Sequence, residues 1–507
     1  MKLFQRAEAT APLSRWLYLY PIIFGLAYSQ GALFSSNQNT KFITGLALAG
    51  YGDIAADWMA GITDPFPLFS HLLAWQYQFL GLYAGTHLSF FLLAAAYGLL
   101  GVQLAKSLFS SNETKQRAQW LFCLLWLLVH TIGLRGVFQS IIPDGLAGQY
   151  MLGDYYQPCC FGVLLLAAIA AYQTKRLLAA AACLIAAPLF HPAYLISSAF
   201  VAAALVSIPA NKALGIPWCR RLLFTLLVAA GIGACCLWNA TALTSGDPAV
   251  RDAAYRLMAE TRIPHHALPT HWHPLGTAVF FIAGFCAAWL GRRQLAGQLL
   301  FMLIGIVAAA VGWALVDFNP TVAVAAPWRV SVLLAPLSWV VLLAALAERL
   351  ADKYYFSMPP AGALRKWLAT ACLCACLAGM LHLGLEYYRK AQREDYGLCR
   401  FLRQYHTAGS QYLIPPQETR IRLEAGVPVF ATRKSHPTKD SEFLAWNVRI
   451  EAARQVYDGS PAALQKLMKD HAITHIVWPE TKGNFPFPAL GSRVYTDSNY
   501  SLWVLAK

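Results

Sequence analysis

Three carboxylates lie close together in the polar stretch after the first apolar run: Asp53, Asp57 and Asp64. Asp53 precedes a helical pattern predicted over Ile54 to Ile62, so it is placed to cap that helix. Asp57 falls inside the helix, where Asp is a poor helix former. A partly buried carboxylate can accept a hydroxyl proton, so Asp57 is our candidate general base, with a solvated polar face as the alternative. Asp64 precedes Pro65 and is typical of a turn; it is a second candidate for substrate contact.

Two arginines at the ends of apolar runs are candidates for binding phosphate. Arg329 is the better one, because its planar guanidinium matches the oxygens of a phosphate or diphosphate. The alternative for Arg329 is an ion pair with Asp317. Arg135 is predicted either to bind a lipid phosphate or to extend its side chain to the headgroups.

Polar side chains elsewhere add candidates for binding substrate. Gln149 and Gln157 are suited to hydrogen bonds with sugar hydroxyls. His191 and Tyr194 flank a sharp turn between two apolar runs. His191 either caps a helix end or acts as a base or substrate ligand.

Four histidines lie in one polar segment: His265, His266, His271 and His273. No nearby carboxylate completes a known metal motif, so a mobile loop is favoured over a metal site. No cofactor is assigned, and a divalent metal remains an alternative.

The composition indicates the environment in which these residues act. The chain has 507 residues, of which 57% are hydrophobic and 13% are charged, whereas soluble proteins carry about 25% charged residues. The mean hydropathy is +0.45. The net charge of +15 comes from Lys and Arg clustered between apolar runs. This distribution is typical of membrane topology, so nucleic acid is not an expected partner.

Apolar runs of suitable length predict a polytopic helical membrane protein. We expect eleven spans, at 16–34, 86–105, 118–135, 158–173, 177–190, 193–208, 222–240, 274–291, 295–316, 330–347 and 367–387. His191 and Pro192 separate the fifth and sixth, because proline cannot continue a helical hydrogen-bond ladder.

The distribution of basic residues predicts the orientation. Lys and Arg occur in every second polar segment, and the segments between them carry most of the aspartates. The positive-inside rule therefore places the N-terminus in the cytoplasm and the C-terminus outside. Residues 35–65, here called the outer loop, then face outward. Residues 66–83 are predicted to form a re-entrant or interfacial helix.

The composition changes near residue 389, which divides the chain into a membrane domain, 1–388, and a soluble α/β domain, 389–507, here called the tail. The fold class is therefore mainly α, with a small α/β domain outside the membrane. The tail's patterns predict helices at 389–406, 440–457 and 461–471, and strands at 411–414, 427–431, 473–478 and 500–505.

Several segments together resemble GT-C-type membrane glycosyltransferases, and more specifically an uncharacterised group of bacterial GT-C-like proteins. The resemblance covers most of the chain. The residues that carry it are Asn37–Phe42, Gly45–Ala47, Asp57–Trp58, Thr63–Pro65, Phe69, Gly148–Tyr150, Gln157–Pro158, His191–Pro192, Tyr412–Pro416, Arg422–Leu423 and Lys434–Pro437.

The resemblance implies a polyprenyl-phosphate-linked sugar as donor, a glycan or lipid as acceptor, and a bacterial inner membrane as the location. It implies Asp57 as the base, with Arg329 and Arg135 stabilising the departing lipid phosphate. The outer loop lacks the adjacent Asp-Glu pair of some GT-C enzymes and the Glu-x-Asp pattern of oligosaccharyltransferases. Metal dependence is therefore not implied.

Two other function classes remain open. A flippase for lipid-linked saccharides usually shows repeats or broken helices in mid-membrane, and the sequence shows no internal repeat. A non-catalytic factor of envelope polysaccharide assembly would use the tail for docking.

Overall fold

A computed structural model describes residues 15–109, 115–209, 214–353 and 361–506. The remaining residues include Lys2, Arg6 and Lys212, which belong to the predicted cytoplasmic charges, and these lie outside the described residues.

Long apolar helices dominate the described chain. Five are long and apolar enough to cross a membrane: Leu82–Ala105, Trp218–Ala242, Leu295–Val316, Pro320–Lys353 and Lys366–Ala391. The pair Lys115–His130 and Arg135–Ile141, bent by 94°, would make a sixth. Shorter apolar helices are Pro158–Gln173, Leu177–Phe190, Tyr194–Ser207 and Pro274–Leu290. The chain is a multi-pass helical membrane protein, as predicted, and the exact number of spans stays a prediction.

The first helix, Arg15–Ala27, packs against Leu82–Ala105 and Ala361–Ala391, which joins the two ends of the membrane domain. Short helices and turns connect the long ones. They are Gln38–Lys41, Ile43–Leu48, Leu146–Gly148, Pro248–Leu257, Met258–Arg262, Pro264–Ala267, Pro269–His271, Pro320–Ala325 and Pro327–Val330. The predicted break between the fifth and sixth spans is present, because Leu177–Phe190 ends before His191 and Tyr194–Ser207 begins after it.

The outer loop differs from its prediction. The expected helix over Ile54 to Ile62 is replaced by two short 3-10 turns, Ile54–Ala56 and Trp58–Ala60. Asp57 separates them in an extended conformation and accepts a hydrogen bond from the Met59 amide. Asp side chains often compete with the helix in this way by bonding nearby backbone groups. The helix expected over 66–83 is present as Pro67–Leu80.

The tail contains a four-stranded sheet of order β1-β2-β4-β3, formed by Tyr412–Leu413 (β1), His475–Pro479 (β2), Gly491–Thr496 (β3) and Tyr500–Leu505 (β4). β1 pairs with β2 in parallel, and the other pairs are antiparallel. The helices are Tyr396–Tyr405, Ile421–Ala425, Asp440–Tyr457 and Pro461–His471, with short turns at Glu480–Lys482 and Pro488–Leu490. The last two helices lie where they were predicted.

Two predictions about the tail need correction, and one strand was missed. The helix expected over 389–406 is broken between Ala391 and Tyr396, and the break lets Asp395 reach Arg420 at 3.0 Å. The strand expected over 427–431 is reduced to a single bridge to Tyr412, because Pro428 has no backbone N–H to donate. β3 was not predicted.

The tail and the outer loop are joined by their backbones as well as their side chains. The Asp53 amide donates to the Gly426 carbonyl at 2.8 Å, and the Tyr51 hydroxyl donates to the Leu423 carbonyl at 2.9 Å. The sequence predicted that the Asp53 carboxylate caps a helix, but it makes no capping hydrogen bond. It pairs with His406 at 3.0 Å instead. The tail therefore holds the outer loop in place.

Gly52 marks the closest approach of the two segments. A Cβ added there would lie 2.3 Å from the Gly426 carbonyl oxygen, and its φ is +56°. Gly50 also has a positive φ, of +73°, but has open space around it. We expect Gly50→Ala to cost about 1–2 kcal/mol from the left-handed backbone alone.

Gly52→Ala is expected to cost more stability than Gly50→Ala. It also pushes the outer loop away from the tail and lengthens the hydrogen bond from the Asp53 amide to the Gly426 carbonyl. Melting temperatures of the two variants in detergent measure the difference. Equal shifts would contradict a close contact at Gly52.

Candidate functional site

A small pocket lies where the outer loop meets the ends of several helices. Its volume is about 90 Å³, enough for a group the size of phosphate. Its lining residues come from segments distant in sequence: Asn37, Lys41, Gly148, Gln149, Tyr150, Gln157, Pro158, Cys159, His191, Tyr194, His266, Arg329 and Val332. We call this group the anion pocket. Four of the segments that carry the family resemblance meet here.

Lys41 ends the helix Gln38–Lys41 and has no carboxylate partner among the described residues. Its ammonium lies 4.0 Å from the centre of the Phe66 ring. Burial, together with the positive charges of Arg329 and Arg262, lowers the pKa of Lys41 to about 7, and the nearby Asp64 carboxylate opposes part of this shift. A cation held in this way is stabilised by an anion that enters the pocket.

Arg329 lies in the turn Pro327–Val330, which follows Ala326 in a left-handed conformation. The predicted alternative, an ion pair with Asp317, is not formed, and Asp317 is exposed. No other carboxylate in the described part of the chain pairs with Arg329. The pocket therefore has two positive groups and no protein counter-ion.

Gln149 is the third unsatisfied group in the pocket. Its side chain is buried, at 6% exposure, yet neither its amide oxygen nor its amide nitrogen has a partner within the described residues. Leaving such groups unpaired costs about 1–3 kcal/mol, so a bound ligand would recover part of that energy. The neighbouring Tyr150 hydroxyl accepts from Gln157 at 2.8 Å and keeps its proton for donation.

The two histidines of the pocket differ in the tautomer that their contacts favour. His191 Nδ1 accepts from the Ala193 amide at 3.2 Å, so the proton lies on Nε2 and can be donated. His266 Nδ1 lies 2.6 Å from the Ala147 carbonyl and must donate to it, which leaves Nε2 as an acceptor. Burial is the main cause of the lowered pKa of both rings, to about 4 for His266. Both are neutral at pH 7.

Asp57 lies outside the anion pocket, in a contact that the sequence did not predict. Its side chain is fully buried, and Oδ2 accepts from Arg422 Nε and from the Val429 amide, each at 2.7 Å. Oδ1 accepts from the Met59 amide at 2.8 Å. In this structure Asp57 ties the outer loop to the tail, and its role as a base stays a prediction.

Two other candidates also lie apart from the pocket. Asp64 accepts from the Phe66 amide at 2.8 Å, the turn that its proline neighbour predicted. Arg135 is buried, pairs with Asp154 and lies 4.3 Å from the ring centre of Tyr28. The structure thus brings Gln149, His191, Tyr194 and Arg329 together, and leaves Asp57, Asp64 and Arg135 elsewhere.

Sequence reasoning missed Lys41 and interpreted His266 only as part of a metal or loop cluster. The available signal for Lys41 was a lone cation in a segment whose other charged residues are acidic. Among the described residues, no three His, Cys, Asp or Glu side chains come together in a way that could hold a metal ion.

Comparisons with known proteins give the following similarities. A family model described as a domain of unknown function, DUF6798, matches residues 393–453. No curated protein matches the chain. Among solved structures, the chain is similar to ArnT from Cupriavidus metallidurans bound to undecaprenyl phosphate, at 13% identity and a TM-score of 0.43, covering 97% of this chain and 98% of that one. The apo state of the same protein gives 14% identity and a TM-score of 0.42, with the same coverage.

Proposed function

We propose that this chain is a membrane glycosyltransferase that uses a polyprenyl-phosphate-linked sugar as donor and binds the lipid phosphate in the anion pocket. The observation that carries the proposal is that Lys41 and Arg329 line the same pocket and that neither has a carboxylate partner among the described residues. Buried cations without counter-ions are costly unless a ligand supplies the charge. The surrounding membrane helices supply an apolar setting for a lipid chain.

The proposed reaction forms one bond and breaks one bond at the same carbon. An acceptor hydroxyl oxygen attacks the anomeric carbon of the sugar, and the bond from that carbon to the phosphate oxygen breaks. Polyprenyl phosphate leaves with the bonding electrons, and the hydroxyl proton passes to a base or to water. Negative charge therefore grows on the phosphate during the reaction, where fixed positive groups lower the barrier most.

The pocket residues fit the demands of this step. Lys41, Arg329 and the His191 Nε2–H are donors for the phosphate oxygens, and the Gln149 amide adds a neutral donor. His266 Nε2 is a hydrogen-bond acceptor in the pocket, which suits it to orient the attacking hydroxyl of the sugar acceptor. Asp57 and Arg422 act at a distance by fixing the outer loop that carries Lys41.

The proposed location is the inner membrane of a bacterium, with a cytoplasmic N-terminus and the tail outside. The basic segments between spans support this orientation. The anion pocket and the tail then face the same outer side, where a glycan or lipid acceptor is available. Membrane lipids surround the long helices.

Binding of undecaprenyl phosphate to the purified full chain in nanodiscs tests the proposal, with undecaprenol as the neutral control. We expect the phosphate to bind at least tenfold more tightly, because only it carries the anion that Lys41 and Arg329 require. Equal binding of the two lipids would overturn the proposed pocket.

A cellular experiment separates a transferase from a flippase. In cells that lack the gene, a transferase leaves lipid-linked sugar on the outer side, whereas a flippase leaves it inside.

Binding is expected to depend on pH through Lys41. Its pKa of about 7 in the empty pocket means that anion binding above pH 7 requires proton uptake. Affinity for undecaprenyl phosphate should therefore fall up to tenfold per pH unit above pH 7, until the pKa of the complex is reached. Titration by native mass spectrometry or fluorescence measures the dependence.

The matched variant is Lys41→Arg, since arginine stays charged throughout this range. It should bind undecaprenyl phosphate with little dependence on pH between 7 and 9. A wild-type affinity that does not change over the same interval would show that Lys41 is not the titrating ligand.

A further inference from the structure

A second and larger cavity lies between the tail and the polar segment that follows the helix Trp218–Ala242. Its volume is about 410 Å³, within the range of small-molecule sites. The turn Met258–Arg262 forms one side, the segment 416–433 a second, and the helix Asp440–Tyr457 a third. We call it the tail cavity.

The lining of the tail cavity is more basic than acidic. Four cations line it, Arg262, Arg433, Arg454 and Lys482, against the two carboxylates of Glu451 and Asp458. Both carboxylates contact Arg454, at 4.0 and 3.7 Å. The other three cations therefore have no carboxylate partner among the described residues.

Two of these arginines are available to a ligand. Arg433 is exposed, and the described structure gives its side chain no hydrogen bond. Arg262 donates through one terminal nitrogen to the Lys434 carbonyl at 3.0 Å, while its Nε is buried without a partner. Two adjacent guanidinium groups of this kind bind a carboxylate or phosphate well, because each offers several donors in a fixed plane.

The remaining lining suits a sugar ring. Trp446 and Phe443 provide a buried aromatic wall, and the Trp446 indole is held by its bond to the Thr432 carbonyl at 3.0 Å. The amides of Asn447 and Gln417 reach the cavity and have no protein partner among the described residues. An apolar wall with a few free polar groups is the usual lining of a small-molecule site.

One carbonyl connects the tail cavity to the anion pocket. The Lys434 carbonyl accepts from Arg262, which lines the cavity, and from the Thr40 hydroxyl, both at 3.0 Å. Thr40 immediately precedes Lys41 of the anion pocket. The two sites are therefore linked through a single hydrogen-bonded carbonyl.

We infer that the tail cavity binds the acceptor, and that this acceptor is a saccharide bearing an anionic group, a carboxylate or a phosphate, which Arg262 and Arg433 contact. The inference rests on the proposed function, since only a transferase needs an acceptor. Asn447 and Gln417 then hold sugar hydroxyls, and the Lys434 carbonyl links this site to the segment that carries Lys41.

Calorimetric titration of the full chain in phosphatidylcholine nanodiscs tests the inference. The probes are glucuronate, glucose 6-phosphate, glucose and inorganic phosphate at matched ionic strength. We expect one or both anionic sugars to bind at least about tenfold more tightly than glucose and than inorganic phosphate. The tighter of the two identifies the acidic group as carboxylate or phosphate.

Arg433→Gln should weaken the binding of the anionic sugar about tenfold and leave the binding of undecaprenyl phosphate unchanged. Arg493→Gln, at an exposed site on β3, is the matched control and should change neither. Equal binding of glucose, equal binding of inorganic phosphate, or wild-type affinity in Arg433→Gln would overturn the inference. Failure of the wild-type chain to bind undecaprenyl phosphate would instead count against the proposed function, and binding of an anionic sugar would then still identify the tail cavity as a saccharide site.

Discussion

Replacement of Arg329 by glutamine is expected to slow sugar transfer by about 10²–10³-fold, the usual effect of removing one donor from a developing negative charge. Arg329 lines the anion pocket and has no carboxylate partner in the described chain, so its charge is available to the leaving phosphate. The loss should appear mainly in kcat, because the charge on the phosphate grows as the bond to the sugar breaks.

The release of polyprenyl phosphate measures this rate whichever sugar is transferred. Membranes from a strain that lacks the gene supply the accumulated lipid-linked sugar, and the release of polyprenyl phosphate by added purified chain is followed. Arg329→Lys keeps the positive charge but lacks the planar guanidinium that can donate two hydrogen bonds to one phosphate, so it should retain part of the rate.

Arg256→Gln is the control for loss of an arginine. Arg256 is exposed: it pairs with Asp252 and Glu260, each at 3.6 Å, and its guanidinium lies 5.7 Å from the centre of the Phe318 ring. Such surface pairs contribute little to stability. Normal release of polyprenyl phosphate by Arg329→Gln would remove the anion pocket from the reaction.

The second large effect is expected for Asp57→Asn, as a loss of stability of about 3–5 kcal/mol. The change leaves Arg422 buried without its counter-ion, and it places an amide N–H₂ against donors of Arg422 or Val429. The outer loop and the tail should then separate. A lower melting temperature and faster proteolysis of the segment between Ala391 and Tyr396 measure this result.

Arg422→Gln is the matched variant, because it breaks the same contact from the other side. If the contact between Asp57 and Arg422 is structural, both single variants should lose a similar amount of stability. The double variant should then lose less stability than the sum of the two single losses. If Asp57 is the catalytic base, Asp57→Asn will instead abolish transfer at an unchanged melting temperature, while Arg422→Gln does not share the defect in transfer.

These two predictions concern neighbouring parts of one assembly. Lys41 lies in the outer loop, and the loop is held by Asp57 from one side and by Ser435, whose hydroxyl donates to the Asn39 carbonyl at 2.8 Å, from the other. Weakening the contact between Asp57 and Arg422 should therefore also lower the affinity for undecaprenyl phosphate, although Asp57 does not contact the ligand.

Much of the architecture could be predicted from the sequence. The apolar runs, the break at His191 and the two helices Asp440–Tyr457 and Pro461–His471 all follow from local periodicity and from proline. Predictions failed where a single side chain overrides a helical pattern, as Asp57 does between its two turns, or where Pro428 removes a donor from a strand.

The same distinction between local pattern and long-range contact applies to the candidate site. Residue types alone identified Gln149, His191, Tyr194 and Arg329, because polar groups at the ends of apolar helices are rare and costly. Tertiary structure decided which of the candidates meet.

An aspartate in an outer loop has the same sequence pattern whether its partner is water or an arginine 365 positions away, and only folding brings Arg422 to Asp57. The same long-range packing placed Lys41 beside Arg329 and paired Arg135 with Asp154. Sequence therefore determined the membrane fold and a set of polar candidates. Charge pairing, which depends on distance in space, decided which of them remain free to bind a ligand.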